Sequence, residues 1–96
     1  MVRSIVATIK VKDGEQAAFE AVAGKLVAAV NANEPGCLLY TLNKGDDPCT
    51  YVFMERYRDD DAVQAHRASE HFRTVGRDMG QFMDGPPSVL RMQEVG

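Results

Sequence analysis

The chain has no tryptophan, only two cysteines among 96 residues, and no excess of basic residues. Eleven Lys and Arg stand against fourteen Asp and Glu, a formal net charge of −3, and neither sign forms a long block. Nucleic-acid binding needs a basic stripe to displace counterions from phosphates, so it is disfavoured. An anionic membrane surface is disfavoured on the same ground. No stretch approaches the roughly 18 uninterrupted apolar residues of a membrane span. At the N-terminus Arg3, Lys10 and Lys12 are mixed into an alternating apolar run, unlike the basic-then-apolar layout of a signal peptide. The expected location is therefore cytoplasmic. Cys37 and Cys49 fall at opposite ends of what reads as a hairpin, on the order of 20 Å apart at strand rise, too far for a disulfide.

The remaining composition is that of a folding chain: 45% hydrophobic and 26% charged. Its length allows one domain, residues 1–96. A domain this small buries only about 60 to 65% of the surface its unfolded chain exposes, so further burial by self-association would stabilise it.

Residues 3–11 alternate, with Ile5, Ala7, Ile9 and Val11 set against Ser4, Val6, Thr8 and Lys10, which predicts a strand. Asp13 with Gln16 three residues on has the spacing of a capping box. Phe19, Val22, Ala23, Leu26, Val27 and Val30 then recur at helical spacing from about Gly14 to Asn31. Glu34-Pro35-Gly36 stops that helix. Residues 37–43 and 50–57 read as two strands joined by a turn-rich segment. On the second, Tyr51, Phe53, Glu55 and Tyr57 share one face and Val52, Met54 and Arg56 the other, so both faces carry apolar side chains. Asp59-Asp60-Asp61 opens a short helix through His66, and Ser69 caps another bearing Phe72, Val75, Met79, Phe82 and Met83. Asp84-Gly85-Pro86-Pro87 ends it, and residues 88–95 form a last strand. The expected fold is α+β, a ferredoxin-like β-α-β-β-α-β order with the second helix split. Helices can cover only one face of the sheet, so the apolar surplus on the other predicts a homodimer.

Few residues offer chemistry. His66 lies on one helix face with Ala62 and Val63 and points inward, either as a core histidine with a satisfied hydrogen bond or as a site residue. His71 is five residues on, across a helix break, which is not the i, i+4 spacing of a helical metal pair, and no metal is expected. Glu55 sits between aromatic residues, where desolvation raises a carboxylate's pKa and makes it a proton acceptor, unless an Arg pairs with it. Tyr40, Tyr51, Tyr57, Phe53 and Phe72 either line a pocket for a flat ring or are plain core. No phosphate loop, Cys-x-x-Cys, nucleophile elbow or haem-attachment motif is present, and no cofactor is expected.

Three motifs in order, Glu34-Pro35-Gly36-Cys37, then Glu55-Arg56-Tyr57, then His66 through Ser69 to His71-Phe72, resemble the antibiotic biosynthesis monooxygenase family over nearly the whole chain. The resemblance implies a small dimeric α+β barrel that oxidises a phenolic or quinol substrate with dioxygen and no bound cofactor. It also implies a cavity between helices and sheet, with His66 and His71 at its mouth. Tyr51, Phe53, Phe72 and Met83 would contact the substrate, and His66 would be the base, with His71 or Glu55 orienting it or the substrate. The polyketide-modifying and haem-degrading relatives use a tryptophan that this chain does not have. In the haem-degrading branch it would fall near His66 and the haem-ligating histidine near Gly76, so haem degradation is not expected. Two alternatives stay open: isomerisation of a phosphorylated signalling molecule, whose branch shares the His-x-x-Ser-x-His stretch, and a non-catalytic ligand-binding dimer.

Overall fold

The alternating and helical patterns resolve, in a computed structural model covering residues 1–96, into seven elements. They are β1 (Arg3–Lys10), α1 (Gln16–Asn33), β2 (Cys37–Lys44), β3 (Thr50–Tyr57), α2 (Asp60–Ala68), α3 (Glu70–Gly80) and β4 (Ser88–Gln93). The sheet order is β2-β3-β1-β4, with every neighbouring pair antiparallel. This is the ferredoxin-like α+β arrangement, its second helix divided into α2 and α3. No helix is long and apolar enough to cross a membrane.

The register decides which side chains face the helices. Ile5 pairs with both Glu55 and Arg91, and Ala7 with both Phe53 and Val89, so these residues share one face across three strands. Onto that face α1 lays Phe19, Ala23, Leu26 and Val30, all buried, against Ile9, Tyr40, Tyr51 and Phe53. α3 closes the cluster with Met79. A second, smaller cluster of Ile5, Tyr57 and Ala62 seats α2.

The junctions show how local chemistry sets the elements. Asp59 caps α2 by accepting from the Ala62 N–H at 2.9 Å. Ser69 works in both directions, accepting from the Phe72 N–H at 3.2 Å and donating to the His66 carbonyl at 2.7 Å, so one hydroxyl ends α2 and starts α3. Asp13 does not cap α1. The helix begins at Gln16, whose Oε1 reaches back to the Gly14 N–H at 2.8 Å, with Gly14 at a φ of +88° that favours glycine. β4 ends opposite Arg3, the first residue of β1, so Glu94 and Val95 lie beyond it. Gly36 lets the turn after α1 approach α2. A Cβ there would stand 2.7 Å from the Ala62 Cβ, and the missing side chain brings Glu34 beside α2. Both cysteines are free.

The opposite sheet face carries no helix. Its central row is Thr41, Met54, Val6 and Leu90, flanked by Leu39 and Met92. Met54 is 45% exposed and Leu90 59%, so these apolar side chains form a contiguous uncovered patch.

Candidate functional site

Between the helix-facing side of the sheet and α3 lies a cavity of about 530 Å³. That is within the range of roughly 300 to 1,000 Å³ that small-molecule sites occupy. Its walls are largely apolar, with Ile5, Ala7, Tyr40, Phe53, Phe72 and Met83 among them. α3 turns Gly76 and Gly80 toward the space, and a Cβ at either would meet nothing within 4 Å. Glycine in a helix interior costs roughly 1 kcal/mol relative to alanine, a cost that Gly76 carries while leaving its side of the cavity without a side chain.

His66, 3% exposed, is the imidazole on that wall. Its ring is caged by Tyr40, Tyr57 and Phe72, with centroids 5.3, 5.4 and 4.8 Å away. Nδ1 lies 3.1 Å from both carboxylate oxygens of Glu34. With the ring neutral, Nδ1–H donates to Glu34, and Nε2, which has no hydrogen-bond partner in the protein, keeps its lone pair. Burial holds the His66 pKa below the ordinary imidazole value despite the opposing pull of Glu34. The ring is therefore neutral at pH 7.

Glu34 accepts a second hydrogen bond, from His71 Nε2 on its other side. Its side chain is only 10% exposed, so one desolvated carboxylate is held by two imidazole N–H groups. His71 itself does not line the cavity. It borders a surface groove with Arg58 and Asp61. One Glu34 oxygen, His66 Nδ1 and His71 Nε2 lie within 4.8 Å of one another, a donor set whose chemistry suits a zinc-like ion. As hydrogen-bonded, with each ring donating to the carboxylate, the three groups satisfy one another. The five-residue spacing of the histidines says nothing about this cluster, because its third member is 32 residues from His66.

Glu55, 7% exposed, also lines the cavity and accepts from the Tyr57 hydroxyl at 2.6 Å. Burial pushes its pKa up to about 6, against the Tyr57 hydrogen bond, with Glu34 adding repulsion and Arg91 attraction. Burial likewise raises the Tyr40 and Tyr57 hydroxyls, so both stay protonated.

Of the residues expected at the substrate, Phe53, Phe72 and Met83 meet at this cavity with His66 and Glu55. Tyr51 does not. It lies near the start of β3, sealed against Phe19 at 4.9 Å, with its hydroxyl on Glu20 and Lys44 over its ring, outside the cavity. Strand alternation gave it the right face but not the right end of the strand. Glu34 was not among the candidates, since its place before Pro35 reads as a helix stop. The only signal for it was its position in the Glu-Pro-Gly-Cys motif.

Residues 3–77 match the family model of the antibiotic biosynthesis monooxygenases. A Caulobacter crescentus structure assigned to the same family is 36% identical, covers 99% of this chain and 91% of its own, and superposes with a TM-score of 0.95. A Pseudomonas aeruginosa structure, PA3566, is 27% identical at a TM-score of 0.88, covering 99% of this chain and 95% of its own. Rv0793 of Mycobacterium tuberculosis, named as a candidate monooxygenase, is 27% identical over 86 residues, 90% of this chain and 84% of its own. The chain belongs to the antibiotic biosynthesis monooxygenase family. Its general activity is that of a monooxygenase.

The raised pKa of Glu55 has a sign that can be measured. Its folded value, about 6, exceeds the ordinary 4.5, so the folded state binds more protons between these values, and this group's contribution to stability falls as pH rises through that window. His66 contributes with the opposite sign, because its lowered pKa costs stability as pH falls below the ordinary imidazole range. The difference between wild type and Glu55→Gln isolates the first effect. At about 1.4 kcal/mol per pH unit, Glu55→Gln is expected to gain ~2 kcal/mol on wild type between pH 4 and pH 7. Thermal unfolding of both proteins across that range checks it, and a constant difference would contradict the assignment.

Proposed function

We propose that the chain is a cofactor-independent monooxygenase that oxidises a small phenol or quinol with dioxygen, and that His66 is its general base. The observation that carries this reading is the imidazole on the cavity wall, neutral, held through Nδ1 by a buried carboxylate, with Nε2 unpartnered. Nε2 takes the phenolic proton, and Glu34 stabilises the imidazolium that forms. His71 orients Glu34 rather than touching the substrate. Phe53, Phe72 and Met83 hold the ring, and Glu55, titrating near 6, is the second proton-handling group.

Deprotonation makes the ring electron-rich. The phenolate passes one electron to dioxygen, and the phenoxyl radical and superoxide combine at a ring carbon bearing hydrogen. The resulting peroxide takes up a proton. Loss of that carbon's hydrogen as a proton, with cleavage of the O–O bond, leaves a carbonyl and releases water. A phenol with one dioxygen thus gives a quinone and one water, and the substrate supplies all four electrons.

His66→Ala is expected to lower quinol turnover about a hundredfold or more, the usual contribution of a general base. A purely structural histidine would instead cost roughly 1 to 3 kcal/mol of stability and leave turnover per folded molecule unchanged. Oxygen uptake and thermal unfolding measured on one sample separate the two. Substrate conversion without oxygen uptake would identify an isomerase instead.

The active form is a homodimer in this reading, paired through the row of Met54, Val6 and Leu90. Apolar side chains this exposed favour association, and a small domain gains stability from the added burial. Light scattering at micromolar concentration is expected to give twice the 10.6 kDa chain mass. A monomer at that concentration would remove the proposed pairing.

A further inference from the structure

We infer that the substrate carries an acidic group, carboxylate or phosphate, which is bound by an arginine rim around the cavity. The inference rests on the cavity being the substrate site. The sequence contains seven arginines. Arg3, Arg56 and Arg58 form ion pairs with Asp60, Glu94 and Asp59. The other four, Arg67, Arg73, Arg77 and Arg91, have no carboxylate within ion-pair distance, and all four line the cavity. No lysine does, and Glu55 is the one acidic residue there. The lining thus carries a net charge of +3 in a chain whose net charge is −3.

Local structure explains the clustering. Arg73 and Arg77 stand one turn apart on α3, on either side of Gly76, and repel each other by that placement. Arg67 lies in the last turn of α2, and Arg91 lies on β4 in register with Ile5, on the helix-facing side of the sheet. Like charges so gathered, with Glu55 as the single carboxylate among four guanidinium groups, cost stability, and a bound anion would offset the cost. Guanidinium groups suit that role, since each offers a planar fork of donors to carboxylate or phosphate oxygens. The apolar wall and the charged rim together fit an amphipathic ligand, its ring against Phe72 and Phe53 beside His66 and its acid group among the arginines.

Calorimetric binding under anaerobic conditions tests this apart from any turnover, using three probes: hydroquinone, 2,5-dihydroxybenzoate and 4-hydroxyphenyl phosphate. At least one acid is expected to bind wild-type protein tenfold or more tighter than hydroquinone, and comparison of the two shows which acid the rim takes. The double variant Arg73→Gln/Arg77→Gln is expected to lose that preference while keeping its hydroquinone affinity and its thermal midpoint within a few degrees. Single substitutions of Arg67 or Arg91 to Gln give the same readout should the double variant not fold. Equal or weaker binding of both acids, no binding of either, or a preference unchanged in every variant would overturn the inference. Oxygen uptake with the same probes is read separately, so tight anion binding without uptake would count against the oxygenase reading and not against the rim.

Discussion

Glu34 is the point on which the site is organised. It ends α1, yet its carboxylate takes hydrogen bonds from His66 on α2 and His71 on α3, so three helices meet on one desolvated anion. A carboxylate so placed would be costly without donors, and two imidazole N–H groups supply them. The arrangement needs close backbone approach, which Gly36 permits against Ala62. It also needs α2 to stop where His66 can turn inward, which the double role of Ser69 provides.

From that interaction the electronic state of His66 follows. Nδ1 is committed to Glu34, the aromatic cage keeps the ring neutral, and Nε2 is left as the acceptor. The same desolvation acts on Glu55 in the opposite electrical sense, raising its affinity for protons. A neutral imidazole and a carboxylate titrating near 6 thus share one largely apolar cavity, with an excess of positive charge in its lining. Each of these properties depends on which groups are kept from water and which are given a partner.

Much of this was legible in the sequence because it is periodic. Alternation along residues 50–57 put Phe53, Glu55 and Tyr57 on one face, which the fold buries, and the Phe19 to Val30 stripe assigned the face of α1. Periodicity fixes a face but not a position along an element, which is why Tyr51 fell outside the cavity it was expected to line. Contacts between distant segments leave no periodic trace. Glu34 reads as a helix stop beside proline, and only the fold brings it to histidines 32 and 37 residues away. Asp13 and Gln16 have capping-box spacing, but Gln16 satisfied Gly14 instead and moved the start of α1. The arginines form no block in the sequence, and only the fold divides them into an ion-paired set and a cavity-lining set.

Glu34 holds the neutral His66 ring protonated at Nδ1 and bare at Nε2. Nitrogen-15 NMR of the imidazole ring at pH 7 reads this directly, with His66→Gln used to assign the signals. The expected spectrum shows a protonated, pyrrole-type Nδ1 and an unprotonated, pyridine-type Nε2 on His66, with that preference weakened in a Glu34→Ala variant. A His66 ring carrying its proton on Nε2, or on both nitrogens, would contradict it.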